Sequence, residues 1–306
     1  MTTISSPITG KPSTKLIDKI PVGRIIDLYQ QNYNIDVSRY FIGLSDVEVY
    51  ECNETKFRFY YPFHLAGDAH FYEQLSTNTG INYYPEWKFE NEIASKYIPD
   101  NCRILDVGCG DGAFLSELSK RRKVLQGVGL ELNPDAIKKC HEKGLIVYPQ
   151  MIQDFVPGHE NYFDVVTTFQ VVEHIPEVGN FLETQLKVLK PGGTMIIGVP
   201  YSNPYLYKRD KFDTLNLPPH HMGLWNEHAF KNLESIYGIK LKAYYTSKLH
   251  DILFYYSVQL QVQEKYKSLF WGNKGFRLIF RVINKLLSPL RSFYKGHDIV
   301  AIFEKN

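Results

Sequence analysis

Cysteine is scarce. The four present (Cys52, Cys102, Cys109, Cys140) show no CxxC spacing, which argues against a zinc ribbon or a disulfide framework. No apolar run approaches the roughly 20 residues that span a bilayer. The longest uncharged stretch, Pro191 to Tyr207, is broken by Pro and Gly. The first fifteen residues, MTTISSPITGKPSTK, lack the apolar stretch of a secretory signal. These absences lead to the expectation of a reduced, cytoplasmic setting. Internal repeats and low-complexity tracts are also missing. Stability must therefore come from an ordinary core, for which 306 residues at 44% hydrophobic content suffice.

Acidic residues are absent from 265–296, where eight Lys and Arg fall, so the rest of this +2 chain is net negative by six charges. Within that segment Phe276, Ile279, Phe280, Ile283, Leu286 and Leu287 follow helical spacing, and Arg277, Arg281 and Lys285 recur every four residues. A basic amphipathic helix of this kind over 267–296 either makes peripheral contact with an anionic membrane or covers the core or an oligomer contact. The oligomeric state is left open.

Two regions follow from the patterning. Residues 1–82 read as an N-terminal appendage, with an amphipathic helix over 16–31 interrupted by Pro21 and a hairpin around Asn53–Thr55. Residues 83–306 alternate short apolar runs with helical segments. The runs are RILDVG (103–108), VLQGVGLEL (124–132), LIVYPQ (145–150), FDVVTTF (163–169), TMIIGVP (194–200), KLKAYYTS (240–247) and DIVAIFEK (298–305). Helices are predicted for Ala113–Lys120 and Pro134–Lys143. Such alternation predicts an α/β fold, a seven-stranded, mostly parallel sheet with helices on both faces. A lid over about 201–232 and a basic helical insertion over about 248–296 complete this domain.

The segment RILDVGCGDGAFL (103–115) runs from a strand through a glycine-rich turn into a helix, and Glu131 ends the next strand. Gly108-x-Gly110-x-x-Ala113 with a downstream acid formally satisfies the dinucleotide fingerprint. However, Asp106 and Asp111 flank the turn, and carboxylates are poor neighbours for a pyrophosphate. A cationic, phosphate-free ligand suits them better.

LDVGCGDG, GLELNP, FDVVTTFQVVEHI and LKVLKPGGTMIIGVP, in that order, resemble the motif set of class I S-adenosylmethionine (SAM)-dependent methyltransferases over about 83–247 plus the last strand. The resemblance implies a Rossmann-like sheet whose last strand runs antiparallel between its two predecessors. It implies SAM as cofactor, with its methionine end held by Asp106, Gly108 and Gly110, and its ribose by Glu131 with Leu132 alongside. It also places Asp154 and Phe155 (in Gln153-Asp154-Phe155) at the adenine and Gln170 beside the cofactor. Tyr83, Tyr84 and Trp87 either close over SAM or simply pack.

Ligands of open α/β sheets bind beyond the carboxyl ends of the strands, which puts Gln170–His174 at the reacting centre. The donor of such a transfer is already activated, so the protein positions the acceptor and removes its proton. His174, His220 and His221 are the candidate bases, each with a structural hydrogen-bonding role as the alternative. PPHHMGLW (218–225) resembles acceptor-lid segments of sugar and small-molecule methyltransferases. No metal is expected. The similar EVVEH stretch of ubiquinone-pathway O-methyltransferases brings two acids and a histidine to magnesium, but Gln170 replaces the first acid here, and hard cations favour oxygen donors. Nucleic acid is not an expected partner, because the tetrad of amino-methylating DNA enzymes and a nucleophilic cysteine after the fourth strand are both missing.

The layout also resembles methyltransferases of bacterial polysaccharide biosynthesis, though Cys52 alone does not make their N-terminal zinc cluster. The leading expectation is O-methylation of a sugar or lipid-linked glycan through a His base. Quinone or phenol O-methylation is the alternative, and a non-catalytic SAM-binding module is the reading from another class.

Overall fold

The computed structural model describes residues 4–79, 87–202, 212–248 and 295–306, together with Val282. Tyr83, Tyr84, positions 203–211 of the lid and nearly all of the basic insertion, including Arg277, Arg281 and Lys285, lie outside the described residues. Among the described residues no helix is long and apolar enough to cross a membrane.

The seven expected runs form one sheet. In chain order they are β4 (Cys102–Val107), β5 (Val124–Leu130), β6 (Ile146–Tyr148), β7 (Phe163–Phe169), β8 (Leu189–Pro200), β10 (Ile239–Lys248) and β11 (Lys295–Lys305). Their spatial order is β10-β11-β8-β7-β4-β5-β6. The neighbours from β8 to β6 are parallel, with Ile104 opposite Val165 and Gly127. β11 is antiparallel to both β8 and β10 and lies between them.

Strand residues alternate between the two faces because the side-chain period of a strand is two. Leu105, Val107, Met195, Ile197, Val199, Ile299 and Ala301 join one buried cluster. Ile104, Val165, Ile196, Val300 and Ile302 join the cluster on the other face. Truncating a fully buried aliphatic such as Leu105 to Ala would cost roughly 2–5 kcal/mol. Helices α4 (Ala113–Arg121) and α5 (Pro134–Glu142) form where the spacing predicts them, and Asn133 caps α5 by accepting from the N–H of Asp135 and Ala136.

A second sheet has the order β1-β2-β3-β9, from β1 (Thr14–Pro21), β2 (Asp46–Cys52), β3 (Arg58–Tyr61) and β9 (Gly223–Leu224). The helix expected over 16–31 is only half right. Residues before Pro21 pair with β2 as a strand, and helix α1 spans Val22–Tyr33. The physical reason is local: the residue before a proline is pushed out of the α region, so Ile20 cannot continue a helix into Pro21. β9 comes from the lid, and Arg58 pairs with Leu224. The N-terminal strands and the PPHH segment thus share a sheet and a core containing Tyr29, Tyr60, Phe71, Leu217 and Met222.

Candidate active site

β4 feeds the glycine turn directly. The N–H groups of Gly108 and Cys109 both donate to the Leu130 carbonyl, at 2.8 and 3.0 Å, which folds the turn back onto β5. Gly108 has φ +76°, and a Cβ there would collide with Val171 Cγ2. Glycine is therefore required on two counts, backbone sign and space. The same contact brings the cofactor turn against the segment carrying His174.

Glu131 organises this turn. One carboxylate oxygen accepts from Gly110 N–H at 2.9 Å, and the other from Leu132 and Asn133 N–H at 2.8 and 2.9 Å. A carboxylate offers about four lone-pair sites, so capacity for a further donor remains. Asp106 is buried and accepts from the Thr167 hydroxyl at 2.7 Å. Desolvation pushes its carboxyl up to about 7, with Thr167 opposing and Glu131 adding to the shift. Asp111 is engaged by the Ala113 N–H and by Lys143, just ahead of the Gly112 N-cap of α4.

Leu132, expected alongside the ribose, is 55% exposed, and Asp154, expected at the adenine, is also exposed. Phe155 is buried, its ring stacked 3.9 Å from that of His159. Tyr148 and Met151, at 42% and 45% exposure, share this carboxyl edge of the sheet and were not singled out by sequence. Exposed apolar side chains beside a strand's carboxyl end were the signal available. Trp87 packs on Phe114 and under Arg121.

Beyond β7, Gln170 adopts a left-handed φ of +57° and donates its N–H to Gly198 at 2.8 Å. Its side-chain amide donates to Glu90 at 3.4 Å. Strained non-glycine backbone of this kind persists only where the surroundings enforce it. Four residues further on, His174 meets His220 and His221, with ring centroids 4.7 and 4.9 Å away. His220 and His221 stack at 4.4 Å. The meeting is enforced by main chain, since Met222 and Gly223 N–H both donate to the Glu173 carbonyl, at 2.7 and 2.9 Å.

The tautomers follow from the partners. His174 Nδ1 lies 2.6 Å from the His220 carbonyl, and His220 Nδ1 lies 2.8 Å from the Leu215 carbonyl. A carbonyl only accepts, so both Nδ1 atoms carry the proton and both Nε2 atoms keep a lone pair. Burial drives all three imidazoles towards neutrality: His174 to about 4, His220 to about 3, and His221 well below the usual histidine value. Glu173 is fully buried 3.7 Å from His174 Nε2, and desolvation pushes its carboxyl up to about 8. Sequence reading placed Glu173 within the Gln170–His174 run without singling it out, and missed Tyr72. The latter lies on helix α2 (Ala69–Thr79), and its hydroxyl is 3.2 Å from His174 Nδ1.

A sheet in this order, with a glycine turn after β4, an acid ending β5 and a polar cluster after β7, defines the class I SAM-dependent methyltransferase fold. Residues 79–241, more than half of the chain, match the methyltransferase domain family (Methyltransf_23), and the chain belongs to it. The chain is 33% identical over 108 residues to a ubiquinone biosynthesis O-methyltransferase of Marinobacter nauticus, covering 33% of this chain and 45% of that one. To the enzyme of the same name from Sodalis glossinidius it is 27% identical over 105 residues, covering 33% and 42%. It spans about half the length of the curated relatives it matches. Among solved structures, a SAM-dependent methyltransferase from Archaeoglobus fulgidus is similar at 22% identity and a TM-score of 0.46, covering 78% of this chain and all of that one.

SAM is the cofactor of this class, and the residues fit it. The Gly108 position has no room for a Cβ, Glu131 retains acceptor capacity, and the buried Asp106 offers a counter-charge to a cation. Gly108, Gly110 and Asp106 would hold the methionine end, Glu131 the ribose, and Leu132 with Met151 and Tyr148 an apolar ring.

Proposed function

We propose that the chain is a SAM-dependent O-methyltransferase acting on a small phenolic or quinol-type acceptor at the His174–His220–His221 cluster. When bound, SAM supplies an activated methyl group on a sulfonium. The chain's own residues position the acceptor hydroxyl and take its proton. His174 Nε2 is the proton acceptor best supported, because its tautomer leaves a lone pair there and 16% of its side-chain surface stays accessible.

The carrying observation is geometric: His174 Nε2 keeps a lone pair on a part-accessible ring held against His220 and His221, and burial keeps that ring neutral. A base with a value of about 4 is weak, so it suits an acceptor that gives up its proton readily. A phenolic hydroxyl ionises near about 10, whereas an alcohol is closer to water's value of about 15.7. The difference is on the order of 8 kcal/mol of proton-transfer driving force, which favours the phenol over a sugar hydroxyl. The names of the curated relatives support the same acceptor class. The glycan reading rests mainly on the likeness of the whole layout to methyltransferases of bacterial polysaccharide biosynthesis.

The test is incubation of purified chain with methyl-labelled SAM and a host extract separated into lipid–quinone, polar glycan, RNA and protein fractions. Label in the quinone fraction supports the proposal. Label in the glycan fraction replaces the acceptor class, and no label in any fraction despite SAM binding rejects the activity.

A further inference from the structure

Proton transfer leaves two groups of buried atoms unaccounted for. Among the described residues His220 Nε2 has no hydrogen-bond partner, and neither oxygen of the Glu173 carboxylate accepts a hydrogen bond. An orphaned buried polar group costs about 1–3 kcal/mol, and more when charged. Glu90 and Asp298 add negative potential around Glu173 and Lys88 offsets part of it, an environment that would accept a cation.

The imidazoles are arranged to receive one. His174 and His220 each anchor Nδ1–H on a main-chain carbonyl, at 2.6 and 2.8 Å, and present Nε2. That outer partner is what fixes tautomer and ring orientation in metal-bound histidines. One nitrogen from each of His174, His220 and His221 lies within 4.8 Å of the others. Zinc–nitrogen bonds of about 2.1 Å in a tetrahedral site bring such nitrogens to about 3.4 Å apart, a shift that small side-chain rotations supply.

We propose that His174, His220 and His221 form a binding site for a borderline divalent transition ion, Zn²⁺ foremost, with Glu173 as the charge-compensating carboxylate. Three neutral imidazoles favour Zn²⁺, Co²⁺ or Ni²⁺ over Mg²⁺, which demands oxygen ligands. The Gln170 side-chain amide is committed to Glu90 and lies outside this donor set. What the ion does rests on the methyltransferase reading, in which it would take the acceptor hydroxyl as its open ligand. In the ion-loaded chain His174 would hold the metal and the ion-bound acceptor hydroxyl would lose its proton to water, so His174 serves as proton acceptor only in the ion-free chain.

The full-length chain, stripped with a chelator, is titrated with Co²⁺ and followed by visible d–d absorption, then with Zn²⁺ and with excess Mg²⁺. The expected result is one equivalent of Co²⁺ in a low-coordinate environment, displaced by Zn²⁺ and not by Mg²⁺. His221→Asn, His174→Gln and Glu173→Gln, checked for folding by circular dichroism, should each weaken binding by about 10–100-fold or more. No saturable Co²⁺ or Zn²⁺ binding by the wild type, or unchanged affinity in all folded variants, overturns the inference. Methyl transfer without ion binding rejects this site and leaves the proposed function standing; ion binding without transfer does the reverse.

Discussion

The hydroxyl of Tyr72 lies 3.2 Å from His174 Nδ1 and donates to the His220 carbonyl at 3.3 Å, joining helix α2 to two segments 102 and 148 residues away. Tyr72 thereby holds the imidazole that presents Nε2 to the acceptor. Tyr72→Phe removes one hydrogen bond, worth about 0.5–1.5 kcal/mol. We expect kcat to fall about 2–10-fold with KM for SAM unchanged, measured by steady-state kinetics. A rise in KM for SAM alone would place Tyr72 on the cofactor side.

Gly108 has the opposite character, because nothing can be added to it. Gly108→Ala must both adopt φ +76° and displace Val171. The expected outcome is loss of stability by about 1–3 kcal/mol and SAM binding too weak for calorimetry. Retained SAM affinity in a folded variant would show that the turn does not approach the ligand.

Much of this was legible in the chain. The seven strands showed because apolar residues on two faces of a buried sheet make short continuous runs, and the glycine turn showed because its backbone tolerates no side chain. The placement of the last strand came through family resemblance. Residues 16–31 misled because Leu16, Ile17, Ile20, Val22, Ile25 and Ile26 fit a helical stripe about as well as a strand followed by a helix; only Pro21 separates the two. The pairing of Arg58 with Leu224 left no local trace. For the same reason three histidines could be named individually, whereas their convergence around Glu173, set by hydrogen bonds to main-chain carbonyls across 46 residues or more, could not.

Asp106 predicts a pH dependence. Burial raises its carboxyl to about 7 in the folded chain, above the unfolded value of about 3.9. Its contribution to stability is therefore full below about 3.9 and is lost as pH rises through about 7. A cationic ligand reverses the preference by favouring the carboxylate. SAM affinity should rise about eightfold between about pH 6 and about pH 7.5, read by calorimetry, and Asp106→Asn should flatten and weaken it.

Glu173 and the imidazoles carry opposite signs in the metal-free chain. With a folded value of about 8, Glu173 contributes stability below its unfolded value of about 4.3, and that contribution is lost as pH rises through about 8. His174 and His220, depressed to about 4 and about 3, contribute above about 6.5 and lose it as pH falls towards those values. Glu173→Gln should raise the urea midpoint at about pH 8, by a stability gain on the order of a few kcal/mol, and the gain should shrink to nothing near about pH 4. A gain independent of pH would mean that Glu173 is not ionising in the core.

The most direct measurement is S-adenosylhomocysteine formation by purified chain given SAM and a series of dihydroxyphenols, with His174→Gln and Glu131→Ala alongside. The account predicts product formed only with an acceptor and matched one-for-one by methyl ether. Turnover should drop about 10²–10⁴-fold in His174→Gln, and SAM affinity should fall in Glu131→Ala. SAM bound by a folded wild-type chain with no transfer to any phenolic acceptor would contradict it.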